Sequence, residues 1–265
     1  SLDEIAVTLS LGEYEKLRHI VALCEKSGVH TKFIPDYGNI IPTIPYMEDL
    51  QGLPVIHIRR VPLNDPVNAA IKRAVDIVGA IVGIVLFSPI MLIVALLIKL
   101  TSPGPIIFCQ ERVGLHNKPF KMYMFRSMAV QSAAKEKSQW TTPGDPRVTP
   151  IGRFIRKTSI DELPQLFNVL KGDMSLVGPR PERPELAAEL EKEIPEFSFR
   201  LQVKAGLPGY AQVYGKYNTT PYDKLKLDLT YIRNYSVLED LKLIIMTPKI
   251  MLMKESTEGV KEEQQ

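Results

Sequence analysis

Short apolar segments alternate with polar ones in the first part of the chain. Residues 5–9 predict a buried strand, because the run is short and apolar, and residues 29–34 predict a second strand. Residues 13–26 predict a helix between them, since their apolar positions fall on one helical face. These positions are Leu17, Ile20, Val21 and Cys24. The order of these elements predicts a small β-α-β unit.

Such a unit is half of a Rossmann-like, nucleotide-binding fold. No glycine-rich loop joins its first strand to its helix, so a regulatory or docking role is favoured over a nucleotide site. Residues 35–66 are rich in Pro, Gly and Asn and predict a linker or surface loops.

A long apolar segment follows, from Ala74 to Leu100. No side chain between Ile77 and Ile98 is charged, and about 22 such residues are enough to cross a bilayer. The Ser88–Pro89 pair lies near its middle, where proline bends or breaks a helix.

Positive residues flank both ends of this segment, Lys72 and Arg73 on one side and Lys99 on the other. The positive-inside preference then holds both ends on one face of the membrane. A re-entrant helix-break-helix is therefore favoured over a spanning helix, and a buried soluble helix is least favoured. Asp76 is spaced to pair with Lys72 and Arg73 at the membrane interface.

Beyond Thr101 the pattern predicts a mixed α/β globular domain. Strands are expected at residues 106–109 and 120–126, and helices at 161–170 and 184–193. Residues 130–147 predict a mobile loop and residues 255–265 a polar, disordered tail. The predicted organisation is a β-α-β remnant with linker, a re-entrant membrane segment, an α/β catalytic domain and a tail, over residues 1–66, 67–102, 103–254 and 255–265.

Composition narrows the classes of partner. The 265 residues include 33 basic and 30 acidic side chains, a net charge of +3. This balance, without any nucleic-acid recognition motif, argues against a nucleic-acid partner. Cys24 and Cys109 lie far apart with no metal-ligand spacing, which favours a reducing, cytosol-facing location. The chain opens on Ser1 without a signal-peptide pattern, so a cut inside a longer protein is favoured over processing.

Residues 153–182 concentrate the groups that act on phosphate esters. They contain cations, adjacent carboxylates and a rigid turn: Arg153, Arg156 and Lys157, then Asp161 and Glu162, then Gly178, Pro179, Arg180 and Pro181. Cations hold phosphates, and a carboxylate attacks phosphorus or holds a metal. Acidic residues also cap ordinary helix starts, and the cluster could form a surface ion-pair network. Neither alternative needs a proline-caged arginine, so the functional interpretation is favoured.

Other candidates carry weaker signals. Lys121 and Arg126 on the predicted basic strand either reach phosphate or are simply solvated. Asp228 is either a charge on a helix face or a neighbour of a metal site.

With these residues in view, the chain resembles the bacterial polyprenyl-phosphate phosphoglycosyl transferases of the monotopic superfamily over residues 67–254. The motifs that carry the resemblance are Lys72-Arg73 with Asp76, Ser88-Pro89, Ser102 to Pro105, Gln110 to Gly114, Asp161 to Gln165, Lys171 to Pro181 and Gly209 to Val213. Residues 1–66 resemble the end of the nucleotide-binding-like domain of the long members, without their N-terminal membrane bundle.

The resemblance implies that a UDP-sugar gives its sugar-1-phosphate to undecaprenyl phosphate and that UMP leaves. Asp161 would attack the β-phosphorus to form an aspartyl-phosphosugar intermediate, and Glu162 would deprotonate the lipid phosphate or position a metal. Mg²⁺ is expected at Asp161 and Glu162. Phosphate is expected at Arg156 and Arg180, with Lys121, Arg126 and Arg153 as further candidates. Nucleotide and sugar are expected near Pro179, Pro181, Gln212 and Asp228.

The resemblance also implies a place and a pathway. The implied location is the bacterial inner (cytoplasmic) membrane, in contact with membrane lipid and with the catalytic domain facing the cytosol. The implied role is the first membrane step of capsule or exopolysaccharide synthesis. A homodimer is plausible, as for the long members. Glucose or galactose is the expected sugar, although the Ala205 to Gly209 run departs from the family's usual Pro-Gly-Ile-Thr-Gly.

Two rival functions remain. The chain could be an inactive membrane anchor for polysaccharide assembly, against which the intact Asp161–Glu162 pair argues. A metal-dependent lipid phosphatase would use similar residues, but the sequence supplies no water-activating histidine and no two-metal carboxylate set.

Overall fold

The computed structural model describes residues 4–9, 11–35, 46–50, 53–57, 61–129, 145–215 and 219–251. The chain forms two compact units, Ser1–Arg60 and Val61–Gln265. The predicted polar tail lies outside the described residues, as does most of the predicted mobile loop.

The first unit contains the predicted strand, helix and strand. Strand β1 (Glu4–Leu9) pairs in parallel with β2 (His30–Pro35), and helix α1 (Leu17–Ser27) connects them. Gly28 ends the helix in the left-handed conformation, with φ 67°, which glycine adopts without steric cost. An antiparallel hairpin of β3 (Tyr46–Leu50) and β4 (Leu53–His57) lies inside the predicted linker, so the prediction of loops alone was wrong there.

The second unit begins with one long helix, α2 (Pro66–Thr101). Asp65 caps its start, because its Oδ1 accepts hydrogen bonds from the amides of Val67 and Asn68 at 2.9 and 3.0 Å. By length and composition α2 is able to cross a membrane, with a mean hydropathy of 3.0 over its most apolar window.

The helix continues through Pro89, so the predicted break is not an interruption of the helix. Proline removes the amide that would have bonded the carbonyl of Val85, four residues earlier. The hydroxyl of Ser88 donates to that carbonyl at 2.8 Å and replaces the missing donor. One lost backbone bond is thereby compensated locally, which explains why the helical assignment continues.

Helix α2 has two different faces. One face carries exposed apolar side chains, among them Val85, Leu92 and Leu100, each about 70% exposed. The opposite face includes Ala80 and Ile98, which are fully buried against the rest of the unit. The helix therefore presents one apolar face to its surroundings and the other to the globular part.

The globular part combines a strand hairpin with six helices among the described residues. Strands β5 (Ile107–Val113) and β6 (Pro119–Phe125) pair antiparallel, and β5 is longer than predicted. The helices are α3 (Pro150–Lys157), α4 (Gln165–Lys171), α5 (Pro184–Glu193), α6 (Tyr210–Tyr214), α7 (Pro221–Arg233) and α8 (Val237–Met251). Short 3₁₀ segments occupy Pro62–Asn64, Leu115–Asn117, Ile160–Glu162 and Pro195–Gln202.

Helix α4 begins later than predicted. The pattern predicted one helix over residues 161–170, whereas Asp161 and Glu162 form a 3₁₀ turn and the α-helix starts at Gln165. Pro164 explains the difference, because it has no amide with which to continue the backbone ladder.

The core joins α2 to the elements that carry the candidate site. Val94 and Ile98 of α2 pack with Phe125 of β6 and Ile155 of α3. Ile160 and Leu163, on either side of the acidic pair, pack against this cluster. The apolar neighbours of Asp161 and Glu162 thus fix the backbone of the 3₁₀ turn.

Candidate active site at the Asp161–Glu162 turn

Backbone geometry presents the acidic pair at a bend between two helices. Helix α3 ends at Lys157, and Ser159 adopts a left-handed conformation with φ 53°. A non-glycine residue in this region costs about 1–2 kcal/mol, so the surrounding packing must hold it. The bend starts the 3₁₀ turn that carries Asp161 and Glu162.

The environment of Asp161 favours its protonated form. Burial is the main cause, and the neighbouring charge of Glu162 adds to it, so that the pKa of Asp161 rises to about 7. Arg156 and Arg180 act in the opposite direction and favour the carboxylate. A carboxylate that titrates near neutrality, with two arginines nearby, is suited to chemistry on an anionic substrate.

Arg180 holds the second carboxylate. Its Nη2 donates to Glu162 Oε1 at 2.7 Å and its Nη1 donates to Oε2 at 3.4 Å. This forked contact fixes the orientation of both side chains, and the charge of Glu162 raises the pKa of Arg180. Arg180 remains 45% exposed, so its guanidinium is also accessible to a ligand.

The turn that carries Arg180 is fixed by two other arginines. Arg200 is buried, and its Nη2 donates to the carbonyl of Arg180 at 2.9 Å and to Asp228 Oδ2 at 2.6 Å. Arg112 donates from Nη1 to the carbonyl of Pro181 at 3.1 Å. Burial, followed by the charge of Arg180, lowers the pKa of Arg112 to about 10.

A close backbone approach supports the same turn from the other side. The amide of Gly206 donates to the carbonyl of Pro179 at 3.1 Å. The amide of Gly178 donates to the carbonyl of Pro208 at 3.0 Å. A Cβ on Gly206 would lie 2.0 Å from the Gly178 nitrogen. Only glycine permits this approach. Residues 205–209, where the sequence departs from the expected run, therefore form part of the support of the turn.

A cavity of about 230 Å³ lies next to this turn. Its lining includes Arg180, Glu182 and Arg200, together with the apolar side chains of Ala187 and Phe197. The lining of the cavity therefore combines charged and apolar side chains, as small-molecule sites commonly do.

The remaining candidates occupy different positions. Arg156 lies in the last turn of α3 and acts electrostatically on Asp161, while Arg153 on the same helix is exposed. Lys121 is exposed on β6. The guanidinium of Arg126 is buried and donates to the carbonyls of Ser102 and Pro103, which ties β6 to the end of α2.

Pro179 and Pro181 are buried and flank Arg180. Gln212 lies on α6, and its side-chain amide is buried without a hydrogen-bond partner in the part of the chain that the structure describes. Asp228 lies on α7 and is occupied by its ion pair with Arg200.

Lys72, Arg73 and Asp76 point inward. Lys72 and Asp76 are 6% and 1% exposed, and their partners belong to the globular part. Arg73 donates to the carbonyls of Val169 and Leu170 at 2.6 and 2.7 Å, at the C-terminal end of α4. The expected i,i+4 pairing of Lys72 with Asp76 is present, with Lys72 Nζ 3.7 Å from Asp76 Oδ1. Its location differs from the expectation, because the pair is buried between α2 and the domain that carries the site.

Two supporting residues had no motif in the sequence. Arg200 lies within a 3₁₀ segment, and its only signal was a charge among apolar neighbours. Asn168 is fully buried on α4, where Oδ1 accepts from the amide of Tyr123 at 2.9 Å and Nδ2 donates to the carbonyl of Lys121 at 2.8 Å. Asn168 joins α4 to β6. The sequence signal for this role was a polar Asn among the apolar positions of a predicted helix, since a polar side chain that becomes buried there needs hydrogen-bond partners.

Comparison with known proteins identifies the family of this chain. Residues 67–254 match the family described as bacterial sugar transferase. The chain belongs to that family. The match covers all of the candidate site, from the inward-facing polar residues of α2 to Asp228.

Several curated relatives share this region. A UDP-N-acetylgalactosamine-undecaprenyl-phosphate N-acetylgalactosaminephosphotransferase of Aeromonas hydrophila is 47% identical over 193 residues, 72% of this chain and 45% of its own length. A UDP-glucose:undecaprenyl-phosphate glucose-1-phosphate transferase of Escherichia coli (strain K12) is 37% identical over 251 residues, 93% of this chain and 54% of its own. The galactosyl transferase CpsE of Streptococcus agalactiae serotype III (strain NEM316) is 42% identical over 193 residues, 69% of this chain and 42% of its own. The chain therefore spans about half the length of these relatives.

Proposed function

We propose that the protein transfers sugar-1-phosphate from a UDP-sugar to undecaprenyl phosphate and releases UMP. The observation that carries this proposal is the placement of Asp161, a carboxylate with a pKa near 7, beside a Glu162 that Arg180 holds in a forked contact. The names of the relatives support undecaprenyl phosphate as the acceptor and a UDP-sugar as the donor.

The reaction divides into two displacements at phosphorus. A carboxylate oxygen of Asp161 attacks the β-phosphorus of the UDP-sugar, the bond from that phosphorus to the bridging oxygen breaks, and UMP leaves with the electron pair. An oxygen of undecaprenyl phosphate then attacks the phosphorus of the aspartyl-phosphosugar. The Asp161–phosphorus bond breaks, and the carboxylate is regenerated.

Neighbouring residues have distinct roles in this scheme. Arg156 and Arg180 stabilise the negative charge that develops on the transferred phosphoryl group, since both already act on the charge of Asp161. Glu162 accepts a proton from the lipid phosphate or orients the acceptor. Arg180 is exposed enough to contact the substrate and stays oriented by Glu162.

The donor set fits Mg²⁺. Magnesium in phosphoryl-transfer sites is commonly held by one or two carboxylates together with substrate phosphates. Asp161 and Glu162 supply two adjacent carboxylates whose mutual repulsion contributes to the raised pKa of Asp161, and a cation would relieve that repulsion. The described residues contain no group of three or more metal-ligating side chains, so substrate phosphate would complete the coordination. Mg²⁺ bound there would neutralise part of the negative charge on the diphosphate of the UDP-sugar.

Helix α2 places this chemistry at a membrane. We propose that it bends at Pro89, since proline can kink a helix without ending it, and that it enters and leaves by the cytosolic leaflet of the bacterial inner membrane with Ser88–Pro89 at its deepest point. Its apolar face is exposed in the structure, and its ends carry positive residues. The lipid phosphate head then lies at the level of the globular domain. Capsule or exopolysaccharide synthesis is the proposed pathway, and homodimers remain part of the proposal.

The test is UMP release from UDP-glucose, UDP-galactose and UDP-N-acetylgalactosamine by protein in nanodiscs with Mg²⁺ and without lipid acceptor. We expect a burst approaching one UMP per active chain with one of the sugars, and no burst from Asp161→Asn. Turnover only after undecaprenyl phosphate is added would retain the reaction and exclude the aspartyl intermediate. No UMP under either condition would support an inactive anchor.

A further inference from the structure

Helix α2 contacts the segment that leads into the Arg180 turn through buried polar groups. Lys72 Nζ lies 2.5 Å from Asp240 Oδ2 on α8 and donates to the carbonyl of Val177 at 3.0 Å. Lys72 and Asp240 are 6% and 1% exposed. A buried ion pair contributes little to stability by itself, because desolvation offsets the attraction. Stability alone therefore does not explain why Lys72 and Asp240 form a buried ion pair at this position.

Asp76 makes the neighbouring contacts, one helical turn along α2. Its Oδ1 accepts from the hydroxyl of Ser175 at 2.8 Å and from the amide of Leu176 at 2.9 Å. Lys72 and Asp76 together therefore bind three consecutive residues, Ser175, Leu176 and Val177. Gly79 allows this approach, since a Cβ there would lie 2.4 Å from Leu176 Cδ1.

Tyr231 of α7 completes the network. Its hydroxyl lies 2.8 Å from Asp240 Oδ1 and 3.1 Å from the carbonyl of Val177. One hydroxyl proton serves only one acceptor, and the closer carboxylate is the stronger one. Lys72 is then the donor to the Val177 carbonyl, and Asp240 keeps Lys72 in place.

The bound segment leads directly into the candidate active site. Val177 is followed by Gly178, Pro179 and Arg180, and the two prolines on either side of Arg180 restrict the backbone. A displacement at Val177 is therefore transmitted to Arg180 and to its contact with Glu162.

We infer that Lys72, Asp76 and Asp240 are positioning residues, through which docking of the membrane helix sets the position of Arg180 on Glu162. Through Lys72 and Asp76, the activity of the site thus depends on how α2 packs against the domain. The catalytic part of this inference rests on the proposed function, whereas the structural part does not.

The test compares Lys72→Met with the double variant Lys72→Met/Asp240→Asn. The single variant leaves Asp240 buried without its cation, which destabilises the fold. The double variant removes the charge of Asp240 and retains an acceptor for Tyr231, but no ammonium group contacts the Val177 carbonyl. Asp76, 3.7 Å from Lys72 Nζ, also loses its cation and keeps its hydrogen bonds from Ser175 and Leu176. Lys192→Met is the control, because it removes an exposed lysine from α5, outside the network and the ends of α2.

Two readouts are measured with the proteins in nanodiscs. Hydrogen exchange of residues 175–182 reports on the turn without requiring activity, and the rate constant of the UMP burst reports on chemistry in the active molecules. In the double variant we expect the melting temperature to recover most of what the single variant loses, since the unpaired charge of Asp240 is gone and Asp76 keeps two hydrogen bonds. We expect exchange in residues 175–182 to stay faster and the rate constant to stay at least about 10-fold lower, with a smaller change in KM for the UDP-sugar. Lys192→Met should match wild type.

A merely structural role predicts a different result. The burst amplitude would then fall in the single variant with an unchanged rate constant, and exchange and rate would both recover with the melting temperature in the double variant. Either result would overturn the inference. If wild type itself releases no UMP, the proposed function fails. Hydrogen exchange of residues 175–182 in the double variant still tests the structural part: faster exchange supports positioning of the turn by α2, and unchanged exchange contradicts it.

Discussion

Arg180 contacts both carboxylate oxygens of Glu162, at 2.7 and 3.4 Å, while its own carbonyl accepts a hydrogen bond from Arg200. The side chain and the backbone of Arg180 are thus fixed by different partners. This double restraint holds a guanidinium, which carries its charge at any physiological pH, where that charge acts on Asp161, whose pKa burial raises to about 7.

Replacement of Arg180 by lysine should reduce turnover about 10- to 100-fold, and replacement by glutamine should reduce it further. Lysine keeps the charge but loses the planar fork that contacts both oxygens of Glu162. The measurement is kcat for UMP release with undecaprenyl phosphate present. Arg233→Lys makes the same change at an exposed position on α7 and should leave kcat unchanged. Equal kcat for wild type and Arg180→Lys would show that the fork has no catalytic role.

The burst rate should increase with pH and level off above about 7. Asp161 attacks only as the carboxylate, and burial together with Glu162 raises its pKa to about 7. Single-turnover UMP release between pH 5.5 and 8.5, at constant ionic strength, tests this range. A rate that is already maximal at pH 5.5 would mean that the pKa of Asp161 is not raised in the functional site.

The same pKa has a consequence for stability. A carboxyl group whose pKa is higher in the folded than in the unfolded state binds protons preferentially when folded, so it costs stability as pH rises from about 4 to about 7. Asp161→Asn removes this cost. The melting temperature of the variant minus that of wild type should therefore increase across this range and stay constant above it. A difference that is independent of pH would contradict the assignment to Asp161.

Sequence patterns predicted the candidate site because its residues are close together in the chain. Asp161, Glu162 and Arg180 lie within one short run, and proline on both sides of Arg180 restricts where it can point. The patterns could not supply Arg200 or Asp228 as partners, because their contact depends on how a 3₁₀ segment packs on α7. Such a pairing has no local signal.

The role of α2 was harder to predict for a different reason. An almost uniformly apolar helix has little periodicity, so the sequence does not reveal which side faces the protein. Lys72 and Asp76 were therefore interpreted as interface residues, whereas they are buried against residues 175–177 and α8. The hairpin at Tyr46–His57 was missed because Pro and Gly recur along the segment around it and favour a prediction of loops.

Gly206→Ala should destabilise the protein by about 1–3 kcal/mol or more and abolish most of the turnover. The added Cβ would meet backbone atoms of Gly178 and Val177 at 2.0 and 2.5 Å, and backbone cannot rotate away as a side chain can. The Arg180 turn would have to move. Gly12→Ala is the control, since nothing lies within 4 Å of a Cβ there. A normal melting temperature and normal kcat for Gly206→Ala would show that the close approach of the two segments is not required.

Membrane topology provides the last prediction. A re-entrant α2 places Asn68 and Ser102, near its two ends, on the same side of the bilayer, whereas a spanning helix places them on opposite sides. Asn68→Cys and Ser102→Cys are introduced separately into a chain carrying Cys24→Ser and Cys109→Ser. Each is then treated with a membrane-impermeant thiol reagent in right-side-out and inside-out vesicles. We expect both to react only from the cytosolic side. Reaction of one of them from the opposite side would establish a spanning helix, and the Ser88 hydroxyl would then serve only to satisfy the carbonyl that Pro89 leaves without a donor.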